Sequence, residues 1–171
     1  LSLIGKAVYR KPLLPLLSGV RQVPYGDADA IEQVLESAKE VGDDIAGVVV
    51  EPIQGEAGAI EPPDDYWPRL RELCDKYEVL LIADEVQTGF GRTGKIFGVD
   101  HWGVTPDIMC FGKALGGGVI AMSGFFSSAK IWSCMEPNPF MHTTTTGGNP
   151  VACAAALAQI TVLLEEDLAG Q

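Results

Sequence analysis

Apolar positions along this chain come in two periods. Over residues 27–41 they fall at Ala30, Ile31, Val34, Leu35 and Ala38, the three-and-four spacing of a single helical face. Asp27 is the predicted N-cap and Gly42 the stop. Asp64 and Asp65 open a second helical segment that runs to about Tyr77, and a third, over 149–166, takes strong helical propensity from Ala154 to Ala156. Four short stretches, 45–50, 79–83, 107–111 and 119–126, are instead largely apolar and bounded by turn residues, which predicts strands. Their apolarity is continuous rather than alternating, so the expected strands are covered on both faces. Pro12, Pro15 and Pro24 break residues 1–25 into an irregular connecting segment, with room for a short extended piece at 20–25.

Strands alternating with helices predict an α/β fold, a mostly parallel sheet flanked by helices. In such sheets ligands collect at the carboxyl ends of the strands. That rule selects residues 51–56, 84–87 and Lys113. No internal repeat, low-complexity stretch or domain boundary interrupts the pattern. The chain opens on Leu1 in mid-pattern, and Gln171 follows a helix pattern that closes only at Gly170, so the sequence reads as a segment of a longer protein.

Composition removes several classes of function. With 171 residues, 47% hydrophobic and 20% charged, the chain can bury a sizeable core. The net charge of -11, from 12 basic against 23 acidic residues, argues against a phosphate-backbone partner such as nucleic acid. No apolar run reaches the ~18 residues of a bilayer span. Cys74, Cys110, Cys134 and Cys153 lack C-x-x-C spacing and read as reduced core residues of a cytoplasmic protein. His101 and His142, the two histidines, lie too far apart in sequence to suggest a histidine-rich metal site.

Two residue types carry the chemistry. Lys113 follows an apolar strand and enters Gly116-Gly117-Gly118, a loop too glycine-rich for a helix. A lysine at a strand end can snorkel to the surface; desolvated, it becomes a neutral amine nucleophile. Asp84 ends the run Val79 to Ala83 and can hold a metal, pair with a cationic ring nitrogen, or cap the next turn. Gly89 to Lys95 matches the phosphate-cradling G-x-x-x-x-G-K. However, Ile96 stands where a magnesium-binding hydroxyl is required, and the match follows the Asp-Glu strand instead of preceding it. A buried lysine paired with a buried aspartate, Lys113 and Asp84 on adjacent strand ends, is expected to meet the needs of pyridoxal 5'-phosphate (PLP), which takes an amine for its aldehyde and an anion for its pyridine nitrogen. The run His142 to Pro150, rich in threonine and placed just before a helix, offers neutral phosphate donors, although such a run is also an ordinary solvated loop.

Four motifs together make a resemblance. Glu51-Pro-Ile-Gln-Gly-Glu56, Leu81 to Gly94, Pro106 to Gly118 and His142 to Pro150 are similar, in that order, to the class III (ω-amino acid type) PLP-dependent aminotransferases. The resemblance implies the large domain of a fold-type I PLP-dependent transferase, of which residues 1–171 form the central part. It also implies an N-terminal segment and a C-terminal small domain outside this chain. Lys113 would form the Schiff base with the cofactor and shuttle a proton; Asp84 would sit under the pyridinium nitrogen. Val86 would pack on the ring, Gln87 would hydrogen-bond the ring hydroxyl, and Thr145 would reach the phosphate of the partner subunit in a homodimer. Glu56 matches a glutamate that pairs with a substrate-gating arginine, and Glu51 reads as structural.

Within the class, Arg10-Lys-Pro, Pro15-Leu-Leu and the helix after Pro150 look most like putrescine (diamine) aminotransferase. The expected reaction moves an amino group from a diamine or ω-amino acid to an oxo acid such as 2-oxoglutarate. Alternatives are ornithine, acetylornithine or 4-aminobutyrate as donor, a decarboxylase or aminomutase using the same lysine, or a non-catalytic remnant. Thr146 replaces an aromatic usual before Gly147, and Ala121 stands where relatives often carry Pro, so substrate fit or dimer packing is expected to differ there. Without the flanking segments, the chain alone is expected to be catalytically weak or inactive.

Overall fold

The computed structural model describes residues 2–171. Its centre is a four-stranded sheet whose spatial order follows the chain: β1 (Gly47–Val50), β2 (Leu80–Asp84), β3 (Ile108–Phe111) and β4 (Gly124–Ser127). The first three strands are parallel and β4 is antiparallel to β3. This is the α/β architecture that the pattern predicts. Asp107 sets the start of β3, because its Oδ2 accepts from Leu81 N at 2.8 Å and from Arg71 Nη1 at 2.9 Å, joining sheet to helix.

Five α-helical segments accompany the sheet among the described residues: α1 (Ala7–Arg10), α2 (Ala28–Val41), α3 (Tyr66–Tyr77), α4 (Ala129–Trp132) and α5 (Pro150–Glu165). Helix α2 starts and stops where its sequence says. Asp27 Oδ1 accepts from Ala30 N at 2.8 Å, and Gly42 takes the left-handed conformation (φ 71°) that ends it. Helix α5 is capped by Asn149, whose Oδ1 accepts from Val151 N and Ala152 N, with Pro150 in the first turn. Residues 7–13, expected to be irregular, form one α-helical turn and a 3-10 turn, and 20–25 form no strand.

The core lies on one face of the sheet. Leu81, Ala83 and Met109 meet Ile31 and Leu35 of α2 and Trp67, Leu70 and Cys74 of α3. Trp67, Leu70 and Leu81 are fully buried. The opposite face is more open than continuous apolarity implies: Val49 is 41% exposed, and Ile82 and Ile108 are half-buried. The reason is that α2 and α3 share the first face, whereas Phe125, packed on Trp132 and His142, shelters only the β4 end of the second.

The strand expected over 119–126 is shorter and later. Gly117 and Gly118 both have positive φ, and Val119 N and Ile120 N donate to Gly116 O, so the chain is still turning at 120. Pairing begins at Gly124, opposite Phe111, where a Cβ would lie 2.9 Å from the phenyl ring. Glycine there lets the two strands close.

All four cysteines are free, but only Cys74 belongs to the core; Cys110 is half-buried, and Cys134 and Cys153 are exposed because they lie on a surface turn and on the outward side of α5. Burial pushes the Cys74 thiol up to about 11 from an ordinary 9.0. The folded state therefore favours the neutral thiol, and this contribution is complete below pH 9 and lost as pH rises through about 11. Urea midpoints of the protein and of Cys74→Ala, followed from pH 8 to 11, are expected to converge as pH rises. A constant gap would contradict this account. Among the described residues, no helix is long and apolar enough to cross a membrane.

Candidate active site

The carboxyl ends of β1, β2 and β3 bring the three sequence-selected places to one edge of the sheet. Asp84 is the last residue of β2 and lies opposite Cys110 of β3. It is half-buried, and its Oδ1 accepts from Val86 N at 3.1 Å. One oxygen thus fills the turn-capping role. Among the described residues, no protein donor reaches the other.

Lys113 stands two residues beyond β3 and begins a single 3-10 turn, Lys113–Gly116, where an open loop is expected. Its φ of 40° is in the left-handed region, which costs a non-glycine residue about 1–2 kcal/mol and is characteristic of functional sites. Gly112 before it is buried, and a Cβ there would come within 3.4 Å of Ser123 and 3.6 Å of Val86. The expected pair of buried lysine and buried aspartate is not what forms. Asp84 is half-buried and Lys113 exposed: α5 packs on the far end of the turn, where a Cβ at Gly117 would lie 3.3 Å from Gln159, and the lysine itself faces the open hollow beside 118–122. Lys113 lines a hollow of about 290 Å³ with Gly118, Val119, Ile120, Ala121 and Met122.

The loop after β1 meets the loop after β2. The Gln87 amide rests on the backbone of Gly55, where a Cβ would fall 2.3 Å from Nε2 and the amide would have to shift to make room for it. Glu51 is structural, as its position suggests: Oε2 accepts from Gly55 N at 3.0 Å. Val86 is half-buried beside Gly112. The exposed Glu56 is anchored through its backbone, its carbonyl accepting from Lys6 Nζ at 2.8 Å. Glu51, Glu56 and Asp84 line one groove of about 630 Å³ between the N-terminal segment and the sheet. Thr145 is exposed on the loop before α5 and, among the described residues, makes no hydrogen bond to the strand ends. The structure therefore unites Asp84, Val86, Gln87 and the Lys113 turn, and leaves Thr145 apart.

Glu85 is the residue that sequence reasoning missed. It is fully buried, and its carboxylate accepts from Gly98 N at 2.9 Å, Val99 N at 2.8 Å and the Thr88 hydroxyl. The signal was the strand period: Leu81, Ala83 and Glu85 alternate onto the core face while Asp84 turns away.

The residues gathered at this edge suit a cationic heteroaromatic aldehyde. Asp84 offers an anion with an uncommitted oxygen, Lys113 an accessible amine, Gln87 an exposed amide, and Val86 an apolar surface at the same edge. A family profile described as aminotransferase class-III matches residues 1–171. The chain belongs to the class III aminotransferase family.

Solved structures of this family share the fold. Acetylornithine aminotransferase from Elizabethkingia anophelis is 45% identical over 90% of this chain and 39% of its own, with a TM-score of 0.82. Ornithine aminotransferase from Toxoplasma gondii, whose active site was found partly occupied by PLP, is 41% identical over 91% of this chain and 35% of its own, with a TM-score of 0.84. An (S)-enantioselective ω-transaminase from Thermomicrobium roseum is 41% identical over 84% of this chain, with a TM-score of 0.77. The class III chain described here thus spans about two fifths or less of the length of these relatives.

Proposed function

We propose that residues 1–171 form the central part of the PLP-binding large domain of an aminotransferase that moves a terminal amino group from a diamine or ω-amino acid to an oxo acid such as 2-oxoglutarate. The observation that carries this reading is the placement of Asp84 and the Lys113 turn at the same end of two adjacent parallel strands. When bound, PLP supplies an aldehyde that condenses with amines and a ring that withdraws electrons while its nitrogen is protonated. Asp84 holds that proton through its uncommitted oxygen. Lys113 Nζ provides the amine, and its exposure leaves it able to take a proton from a substrate carbon and return it. Val86 and Gln87 orient the ring, and Thr145 serves the phosphate of a second subunit, which makes the active form a homodimer. Glu56, at the far side of the groove, gates the substrate.

Putrescine is the donor that the wording at Arg10-Lys-Pro and Pro15-Leu-Leu supports. A second reading, ornithine or acetylornithine, is supported by the 41% and 45% identity to aminotransferases of those names. The protein is to be mixed with PLP, reduced with borohydride and mapped by mass spectrometry. A pyridoxyl group on Lys113 is expected. Label spread over surface lysines would sink the proposal. Loss of the visible band on adding putrescine, but not ornithine or acetylornithine, would decide between donors.

A further inference from the structure

We propose that Glu85 is a positioning residue that sets Asp84 and Gln87 for the cofactor, an inference that rests on the PLP reading above. Glu85 lies between the two site residues and is tied on every side. Its backbone N donates to Cys110 O at 2.8 Å, which locks the end of β2 to β3 just before the lysine turn. Its carbonyl accepts from Gly89 N at 2.9 Å, and a Cβ at Gly89 would come 2.9 Å from that oxygen. Its carboxylate reaches across to the 97–99 turn, as described.

The arrangement converges from three loops. Gly98 is packed so that a Cβ would meet Pro52 at 2.9 Å, Thr88 at 3.0 Å and Glu85 Oε2 at 3.2 Å. Pro52 belongs to the loop after β1, and that loop carries Gly55, on which the Gln87 amide rests. A single buried carboxylate therefore fixes the β2 end, the 97–99 turn and, through them, the seat of Gln87.

Every group facing the carboxylate is a donor, which requires an acceptor at both oxygens. Among the described residues no cation pairs with it. Burying an acceptor-only group without a cation costs far more than burying an apolar side chain, so a merely space-filling role would be better served by Leu or Met. The isosteric change Glu85→Gln is disruptive for the same reason. Its NH2 faces Val99 N if it replaces Oε1 and Gly98 N if it replaces Oε2, donor against donor in either case.

The test compares the unchanged protein with E85Q, using the side-chain amide NMR signals of Gln87, amide exchange and PLP affinity. In E85Q, exchange at Gly98 and Val99 is expected to rise relative to Ile31 and Leu35 of α2, and the Gln87 signals to shift. The PLP dissociation constant is expected to rise on the order of tenfold, the effect of one lost hydrogen bond to a charged group. Should E85Q fail to fold, Thr88→Val, which removes the hydroxyl donor alone, carries the test with a smaller effect in the same direction. Faster exchange with unmoved Gln87 signals and PLP affinity within twofold would overturn the positioning role and leave Glu85 a structural residue. If the unchanged protein takes up no PLP, the functional reading itself falls, and this inference with it.

Discussion

In a full-length protein that carries this segment, Lys113→Ala is expected to abolish the borohydride-fixed adduct and to lower transamination by at least ~10⁴-fold, the scale seen when a covalent nucleophile is deleted. Lys6 also lines the groove beside Asp84, but its Nζ is held by the Glu56 carbonyl at 2.8 Å, so it is not expected to replace Lys113. The fold should not notice. The side chain is exposed and makes no hydrogen bond that holds an element in place. A companion change sharpens the point: Lys113→Gly removes the same amine and also relieves the left-handed backbone at φ 40°. That variant is expected to be inactive yet more stable by about 1 kcal/mol, read as a higher urea midpoint. Such a result would show that the backbone tolerates strain in order to aim the amine. Activity surviving either change would remove Lys113 from the mechanism, and a binding function that survived both would favour the non-catalytic reading of the chain.

The sequence made the sheet and much of the site legible because both rest on local signals. Asp27 and Gly42 bound α2 by short-range capping, and the apolar runs end where charged or glycine residues must leave the sheet. The adjacency of Asp84 and Lys113 followed from strand order alone. What stayed hidden depends on packing between distant segments. The late start of β4 is decided by the glycine turn at 117–118 and by the fit of Gly124 against Phe111. Nothing in the run Val119 to Ser123 announces it. The exposure of Lys113 reflects which elements stand beside its turn, a property that a pattern of apolar residues cannot encode. Glu85 was obscured for another reason. Beside Asp84 it reads as half of an acidic pair, and its burial follows only once the 97–99 turn, thirteen residues on, is folded over it.

In the same full-length protein, Asp84→Asn isolates charge from shape. The turn-capping bond from Val86 N can be kept by the Asn carbonyl oxygen, so helix and sheet should be unaffected and the unfolding midpoint nearly unchanged. What is lost is the anion that holds a proton on the ring nitrogen. A unit-charge attraction at ~4 Å and an effective dielectric of ~20 is worth about 4 kcal/mol. Asp84 is only half-buried, and solvent screening reduces that figure. Turnover is therefore expected to fall by roughly 10²-fold, short of the full ~10³ that 4 kcal/mol implies. The adduct on Lys113 should still form, because condensation with an amine does not require the protonated ring, and this contrast separates the two residues. Asp84→Ala gives the complementary result: it removes the cap as well as the charge, so it should match D84N in turnover and fall below it in stability. If D84N turned over like the unchanged protein while D84A lost stability, Asp84 would be a turn cap and nothing more, and the anion opposite the ring would have to be sought elsewhere along the strand ends.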